Sequence, residues 1–377
     1  MIRKFQFALK RNILNSVGYK TNRKIIVIES DDWGSIRIPS LEVQKILTEK
    51  KIISLKDPFS KYDALESETD LNELYNVLLS HKDKNGNPPT ITANCVVANP
   101  NFDKIRTSNF KKYFYEDITQ TFARYPEHAN SFSLWQQGIR EKVFYPQFHG
   151  REHLNVDLWI KSLQAKDSIF MAAFDNYTFA ANPNANFTKG NNIMAALDYN
   201  TEIERENKIE VLKDGHKLFT KLLGYDSKSF IAPCYIWDTN LEEELYKMDV
   251  RYLQGSKFQN IPNLNLDHYT KKYHYTSQKN KFGQYYFVRN ALFEPVLNDK
   301  IDWVGECMKS ISNAFMWGRP AIIGAHRLNF IGYIQPENRE KNLSMLNDLL
   351  SKIIKKWPDV EFINSAELGA IISKNNA

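Results

Sequence analysis

Apolar positions along this chain come in two kinds of run that alternate. Short continuous runs, β-branched or aromatic, predict strands buried on both faces: KIIVIE (24–29), TITANCVVA (90–98), YPQF (145–148), SIFMAAF (168–174), SFIAP (229–233), RYLQG (251–255), YYFVRN (285–290), AIIGAH (321–326) and VEFIN (360–364). Between them lie stripes at helical spacing. Leu71, Leu74, Tyr75, Leu78 and Leu79 recur at i, i+3, i+4, i+7 and i+8, and the turn-forming KNGNPP (84–89) ends that helix. NVDLWIKSL (155–163) reads as a second helix, and Leu346, Leu349, Leu350, Ile353, Ile354 and Trp357 mark a third before the last strand.

Strands that alternate with helices form a parallel sheet with crossover connections, and this many strands can close it. The expected fold is α/β, a distorted (β/α) barrel of about seven parallel strands. It takes residues 23–377 as one unit behind a basic arm, residues 1–22. Two polar stretches, 176–192 and 256–284, interrupt the alternation and are expected as long loops at the rim of the site.

Composition narrows the class of protein. Hydrophobic residues make up 42% and aromatic residues 13%, enough for a large core with rings left to stack on sugar faces. The net charge is +6 on 50 basic and 44 acidic residues spread along the chain, which argues against nucleic acid and leaves a mild attraction to acidic glycans. Three distant cysteines, Cys95, Cys234 and Cys307, form neither a disulfide framework nor a thiolate cluster. The N-terminal arm lacks a signal-peptide core, and no window reaches the ~18 apolar residues of a membrane span. A cytoplasmic protein is expected, with the arm as a packing element or a peripheral membrane contact.

Two segments carry candidate chemistry. In QFHGREHLN (147–155), His149 and His153 stand four positions apart; on a helix or helix-entry turn both rings reach one ion. A cap or a core carbonyl partner is the plain alternative. In KIIVIESDDWGS (24–35), the strand delivers Asp31 and Asp32 at its C-terminal end, where adjacent carboxylates need a cation or a hydrogen-bond network to offset their repulsion. A solvated turn is the plain alternative there. RNALFEP (289–295) adds Arg289 and Glu294 near a strand end, as site residues or as a structural ion pair. His81, His216, His268 and His274 read as structural or solvated, and His128 as undecided.

A strand-end Asp pair followed by HxxxH at another strand end resembles the polysaccharide deacetylase family, metal-dependent carbohydrate esterases with the chitooligosaccharide deacetylase homology domain. The resemblance runs from about residue 24 to 326 and implies a barrel of the glycoside hydrolase/deacetylase type. It implies Asp31 as general base, Asp32, His149 and His153 as ligands of a divalent metal, zinc foremost, and His326 of AIIGAH as general acid. FIAPCYIW (230–237) matches the family's Pro loop, which implies Pro233 and Tyr235 at the site, with Trp33, Arg151, Trp237, Arg289 and Glu294 as further substrate-binding residues. The implied reaction removes acetyl groups from an N- or O-acetylated polysaccharide or its sugar precursor. Several family positions differ: Trp33 precedes Gly34 after the Asp pair, Gly150 and Leu154 follow the histidines, and Ile231 stands where an arginine orients the base. Arg37, Arg151 and Arg289 are the candidates to replace that arginine. Two rival readings are a metal-free glycoside hydrolase using Asp31 and Glu294, and a glycan-binding module without catalysis.

Overall fold

The computed structural model describes residue 9 and residues 11–181 and 188–375. Nine strands form the main sheet, which we number β1 (Lys24–Trp33), β2 (Ile91–Cys95), β3 (Phe144–Phe148), β4 (Ser229–Ile231), β5 (Tyr252–Gly255), β6 (Tyr285–Val288), β7 (Ala291–Leu292), β8 (Ala321–His326) and β9 (Val360–Phe362). Their ladders are all parallel. Read across the sheet, the order is β6-β5-β4-β3-β2-β1-β8-β7, with β9 beside the start of β1. The two ends of that order, β6 and β7, are separated in the chain by Arg289 and Asn290 alone. Eight strands therefore go round in sequence order, and the chain itself closes the seam. This is a distorted (β/α) barrel, one strand larger than the expected seven.

β1 is buried along its length after Lys24, as a central strand covered on both faces must be. Helices wrap the outside. Glu68–Leu79 starts on a Ser67–Asp70 capping box, and the 22-residue helix Glu202–Leu223 runs from Thr201 to a left-handed Gly224 at φ 79°. The largest apolar cluster of the core includes Ile26, Ile28, Phe144, Phe148, Phe230 and Leu346, and smaller ones gather around Val27 and Phe287, around Trp159 and Phe174, and around Leu47 and Ile331.

SIFMAAF is a helix, Ser168–Asp175, and not a strand. Asp167 caps it by accepting from the N–H groups of Ile169 and Phe170, and a short apolar run with no polar alternation fits either element until such a cap decides it. TITANCVVA holds two elements, because the chain leaves the barrel after Cys95 and Ala98–Pro100 pairs antiparallel with Tyr115–Asp117. The 256–284 stretch contains an antiparallel hairpin, Phe258–Ile261 with Thr270–Tyr273. Of the 176–192 stretch, residues 182–187 lie outside the described residues, as do residues 1–8 and 10 of the arm. From Arg11 onward the arm is tied down: Arg11 pairs with Glu306, Asn15 donates to Asn313 at 2.8 Å, and Arg319 donates to the Asn15 carbonyl at 2.9 Å. Among the described residues no helix is long and apolar enough to cross a membrane.

Candidate active site at the strand ends

Because every barrel strand runs the same way, the C-terminal ends of β1, β3, β4, β6 and β8 share one rim. Neighbouring side chains of a regular strand point to opposite faces, yet both aspartates make contacts at this rim. A register shift between Ser30 and Trp33 against β2, together with φ 76° at Asp32, makes the turn. Aspartate tolerates that left-handed backbone better than most residues.

Asp31 is held in a fork. Arg289 Nη2 and Nη1 donate to its two oxygens at 2.6 and 2.7 Å, Asn94 donates at 2.8 Å, and Arg289 Nε donates to buried Glu29 at 2.8 Å. Burial pushes the Asp31 carboxyl up, but the guanidinium outweighs it and the group stays below its usual range. Arg289 thus supplies from β6 what Ile231 on β4 does not.

Asp32 faces the histidine pair. Its Oδ1 lies 3.3 Å from His149 Nε2 and 3.3 Å from His153 Nε2, all three residues buried. Its Oδ2 accepts from Arg37 at 3.2 Å. Burial opposes the charge, while His153, His149 and Arg37 hold the Asp32 carboxyl well below the usual range. The two rings meet without a helix. Residues 149–155 form an irregular turn, with Gly150 at φ 112°, where a side chain would strain the backbone.

The donor chemistry of this group suits a cation. His149 Nδ1 lies 2.8 Å from the Ile231 carbonyl, which only accepts, so in the neutral ring Nδ1 carries the hydrogen and Nε2 turns a lone pair toward a carboxylate oxygen. Burial drives His153 down to about 3, so its ring is neutral near pH 7, and its Nδ1 is buried with no partner among the described residues. Two imidazole nitrogens and a carboxylate brought this close offer three donor atoms to one cation. One carboxylate and two imidazoles also make the three-ligand set of an open zinc site.

His326 sits across from Asp31 in the β1–β8 register, its Nε2 4.0 Å from Asp31 Oδ2. Its Nδ1 lies 2.6 Å from Glu294 Oε1, and Asn329 donates to the other Glu294 oxygen at 2.6 Å. Burial alone would lower the imidazolium's pKa, but the Glu294 carboxylate raises it to about 10. The ring keeps 26% of its side-chain surface open and meets Phe59 edge-on. After Pro233 the backbone is left-handed at Cys234 (φ 57°) and Tyr235 (φ 56°), a strain the surrounding turn imposes. That turn uses the N–H groups of Tyr235 and Ile236, bonded to the Ala232 and Pro233 carbonyls. The Tyr235 hydroxyl accepts from Arg289 at 3.2 Å, and burial pushes its phenol up to about 12. Burial likewise pushes the Cys234 thiol up to about 12.

Several expected substrate contacts are placed otherwise. Trp33 is 1% exposed, donates to Ser30 at 3.0 Å and packs edge-on against Phe144; a ring sealed in the core offers no face to a sugar. Trp237 is 3% exposed, with its indole N–H on Glu242 at 3.1 Å. Arg151 pairs with Glu152 and Asp214 and not with Asp31 or Asp32. Arg289 and Glu294 are buried behind Asp31 and His326, where their charges are matched by protein groups. Sequence reasoning missed Asn94, Phe59 and the buried pairing of Arg327 with Asp63 and Glu66 beneath the rim. His128 bonds the Glu66 carbonyl at 2.9 Å and is structural.

No protein-family model matches the chain. No curated protein matches it either. Among solved structures, it is similar to 4-alpha-glucanotransferase from Thermococcus litoralis (9% identity, TM-score 0.45), covering 92% of this chain and 40% of that one. It is similar to Puue allantoinase (8% identity, TM-score 0.46), covering 93% and 91%. It is also similar to the peptidoglycan deacetylase PdaC of Bacillus subtilis (9% identity, TM-score 0.35), covering 94% of each chain. The barrel assignment stands on the strand order of this chain.

Proposed function

We propose that the protein is a metal-dependent hydrolase that removes acetyl groups from an N- or O-acetylated polysaccharide or its sugar precursor. One observation carries this reading: His149, His153 and Asp32 aim their ligand atoms at a common point, beside a carboxylate clamped in its ionised form and an imidazolium. Asp32, His149 and His153 would hold the ion, zinc by the chemistry of the donor set. When bound, zinc supplies Lewis acidity at the acyl carbonyl and at the attacking water.

The chain's own residues do the proton work. Asp31 accepts the proton that water loses as its oxygen bonds to the acyl carbon; Arg289 keeps this carboxylate ionised and aimed. His326 donates a proton from Nε2 to the departing nitrogen or oxygen as the acyl bond breaks, while Glu294 stabilises its charged form. Among the described residues the N–H of Cys234, the first after Pro233, has no backbone partner, and it would be the donor to the oxygen that gains charge. A metal-free glycosidase built on Asp31 and Glu294 fits less well, because Glu294 is committed to His326 and Asn329.

Elemental analysis tests the reading. Protein never exposed to chelator should carry close to one equivalent of a transition metal, and His149→Ala or His153→Ala should lose it together with acetate release. A wild-type chain with no transition metal, or a variant that keeps full affinity, would overturn it.

A further inference from the structure

Basic charge is concentrated in two stretches of the sequence, the N-terminal arm and residues 251–284. Residues 251–284 hold six basic side chains (Arg251, Lys257, Lys271, Lys272, Lys279 and Lys281) against one acidic side chain, Asp267, a local excess of five positive charges. Among the described residues, none of its five lysines makes an ion pair; each ammonium lies over an aromatic ring instead.

Two of these lysines gather with two aromatic rings on the outward face of the hairpin. Phe258 stands opposite Tyr273 in the register, with ring centroids 4.5 Å apart. Lys271, two residues before Tyr273 and so on the same face, places its ammonium 5.6 Å from the Phe258 centroid, and Lys257 places its own at 4.8 Å. Tyr273 is 67% exposed, and Lys257 and Lys271 are exposed. The opposite face turns inward, with Gln259 bonding the buried His274 at 2.9 Å. The strand Phe258–Ile261 is stitched to the segment that carries the Pro turn, for Trp237 N–H donates to the Asn260 carbonyl at 3.2 Å and Gln259 donates to the Trp237 carbonyl at 2.9 Å. Two residues before Trp237, Tyr235 touches Arg289 in the site.

We propose that this face binds an anionic polysaccharide strand, with a sugar ring stacked on Tyr273 and acidic groups of the polymer on Lys257 and Lys271, and that it feeds that strand to the rim. This rests on the deacetylase reading and gives its substrate a class: an acetylated polymer bearing carboxylates or other acidic groups. The chemistry favours a glycan over the other polyanions. An exposed phenol offers both an apolar face and a polar edge, as a sugar ring requires.

The test is binding of oligogalacturonate, an anionic oligosaccharide, to the full-length protein, with neutral maltooligosaccharide as control and titration calorimetry as readout. Oligogalacturonate should bind, the neutral oligomer should not, and affinity should fall as salt rises. Lys257→Gln with Lys271→Gln should weaken binding about tenfold or more, Lys257→Arg with Lys271→Arg should retain it, and Tyr273→Ala should weaken it at unchanged melting temperature. Equal binding by the Gln variant, equal binding of the neutral oligomer, or tighter binding to phosphatidylserine vesicles or to single-stranded DNA would overturn the proposal. Acetate release separates the two readings. Binding by a protein that releases no acetate from any acetylated polymer sinks the deacetylase and leaves this surface standing, whereas acetate release that ignores the lysine substitutions does the reverse.

Discussion

Replacing Arg289 by Met tests the electrostatic logic of the barrel mouth more directly than any change to a ligand. The guanidinium makes three charge-assisted bonds of 2.6–2.8 Å, two to Asp31 and one to Glu29, and all three side chains are at most 5% exposed. Methionine nearly fills the volume and leaves two buried carboxylates without their cation. Removing one partner of a buried pair costs about 3–5 kcal/mol, a large share of the ~5–15 kcal/mol that holds a typical domain together. The sign with pH follows from Asp31. In the wild type its folded pKa is depressed, so its contribution is present above the unfolded value of about 3.9 and is lost as pH falls through the folded value. In the variant, burial loses its largest opponent and faces only His326, His149 and the Asn94 hydrogen bond, so the folded pKa is expected to rise past the unfolded value and a penalty to appear that grows with pH. Urea unfolding from pH 4 to 7, at fixed metal content, should therefore show a gap between the two proteins that is small at the acid end and widens toward neutrality. Asp31→Asn placed in the variant should recover part of the loss, with a coupling well outside about 0.5 kcal/mol. A gap of constant size across that pH range, or a coupling near zero, would refute the reasoning.

Glu294→Gln removes the carboxylate 2.6 Å from His326 and should drop the imidazolium from about 10 toward its ordinary ~6.5, moving the basic limb of the rate profile down by several pH units. The stability this pair gives is present below about 6.5 and lost as pH rises through about 10, so the variant should be weakened most at low and neutral pH; an unmoved basic limb counts against the acid role. Gly215→Ala would put a Cβ 2.7 Å from Arg151 Cβ and 2.9 Å from its Cα, forcing the turn between the two histidines outward. It should cost about 1–3 kcal/mol in urea unfolding and weaken metal binding with no ligand touched; unchanged values would mean that the long helix yields instead. Asp31→Asn should keep the metal and lose about 10²–10⁴ in rate, and loss of metal would show that Asp31 and Asp32 have exchanged roles.

Much of this molecule is written in short windows of its chain. The apolar runs of β1, β2, β5, β6 and β8 predict strands because a strand buried on both faces has no polar alternation to keep, and the helical stripes between them require parallel connections. The Asp31–Asp32 pair and the His149–His153 spacing were visible for the same reason, since each lies within a few residues. What those windows lacked was any partner from far along the chain. SIFMAAF has the composition of a strand and becomes a helix through Asp167, while Trp33 reads as a sugar platform beside the aspartates until the bulge sends it into the core. Arg289 comes to Asp31 across 258 residues, and Glu294 to His326 across 32, because the barrel closes where β6 follows β7 around the ring with two residues between them. Local sequence sets backbone propensity and the apolar period, and so decides which elements exist. Which charges meet in the buried mouth is settled by closure of the sheet, where desolvation makes each lone carboxylate costly enough to demand the one cation that topology brings within reach.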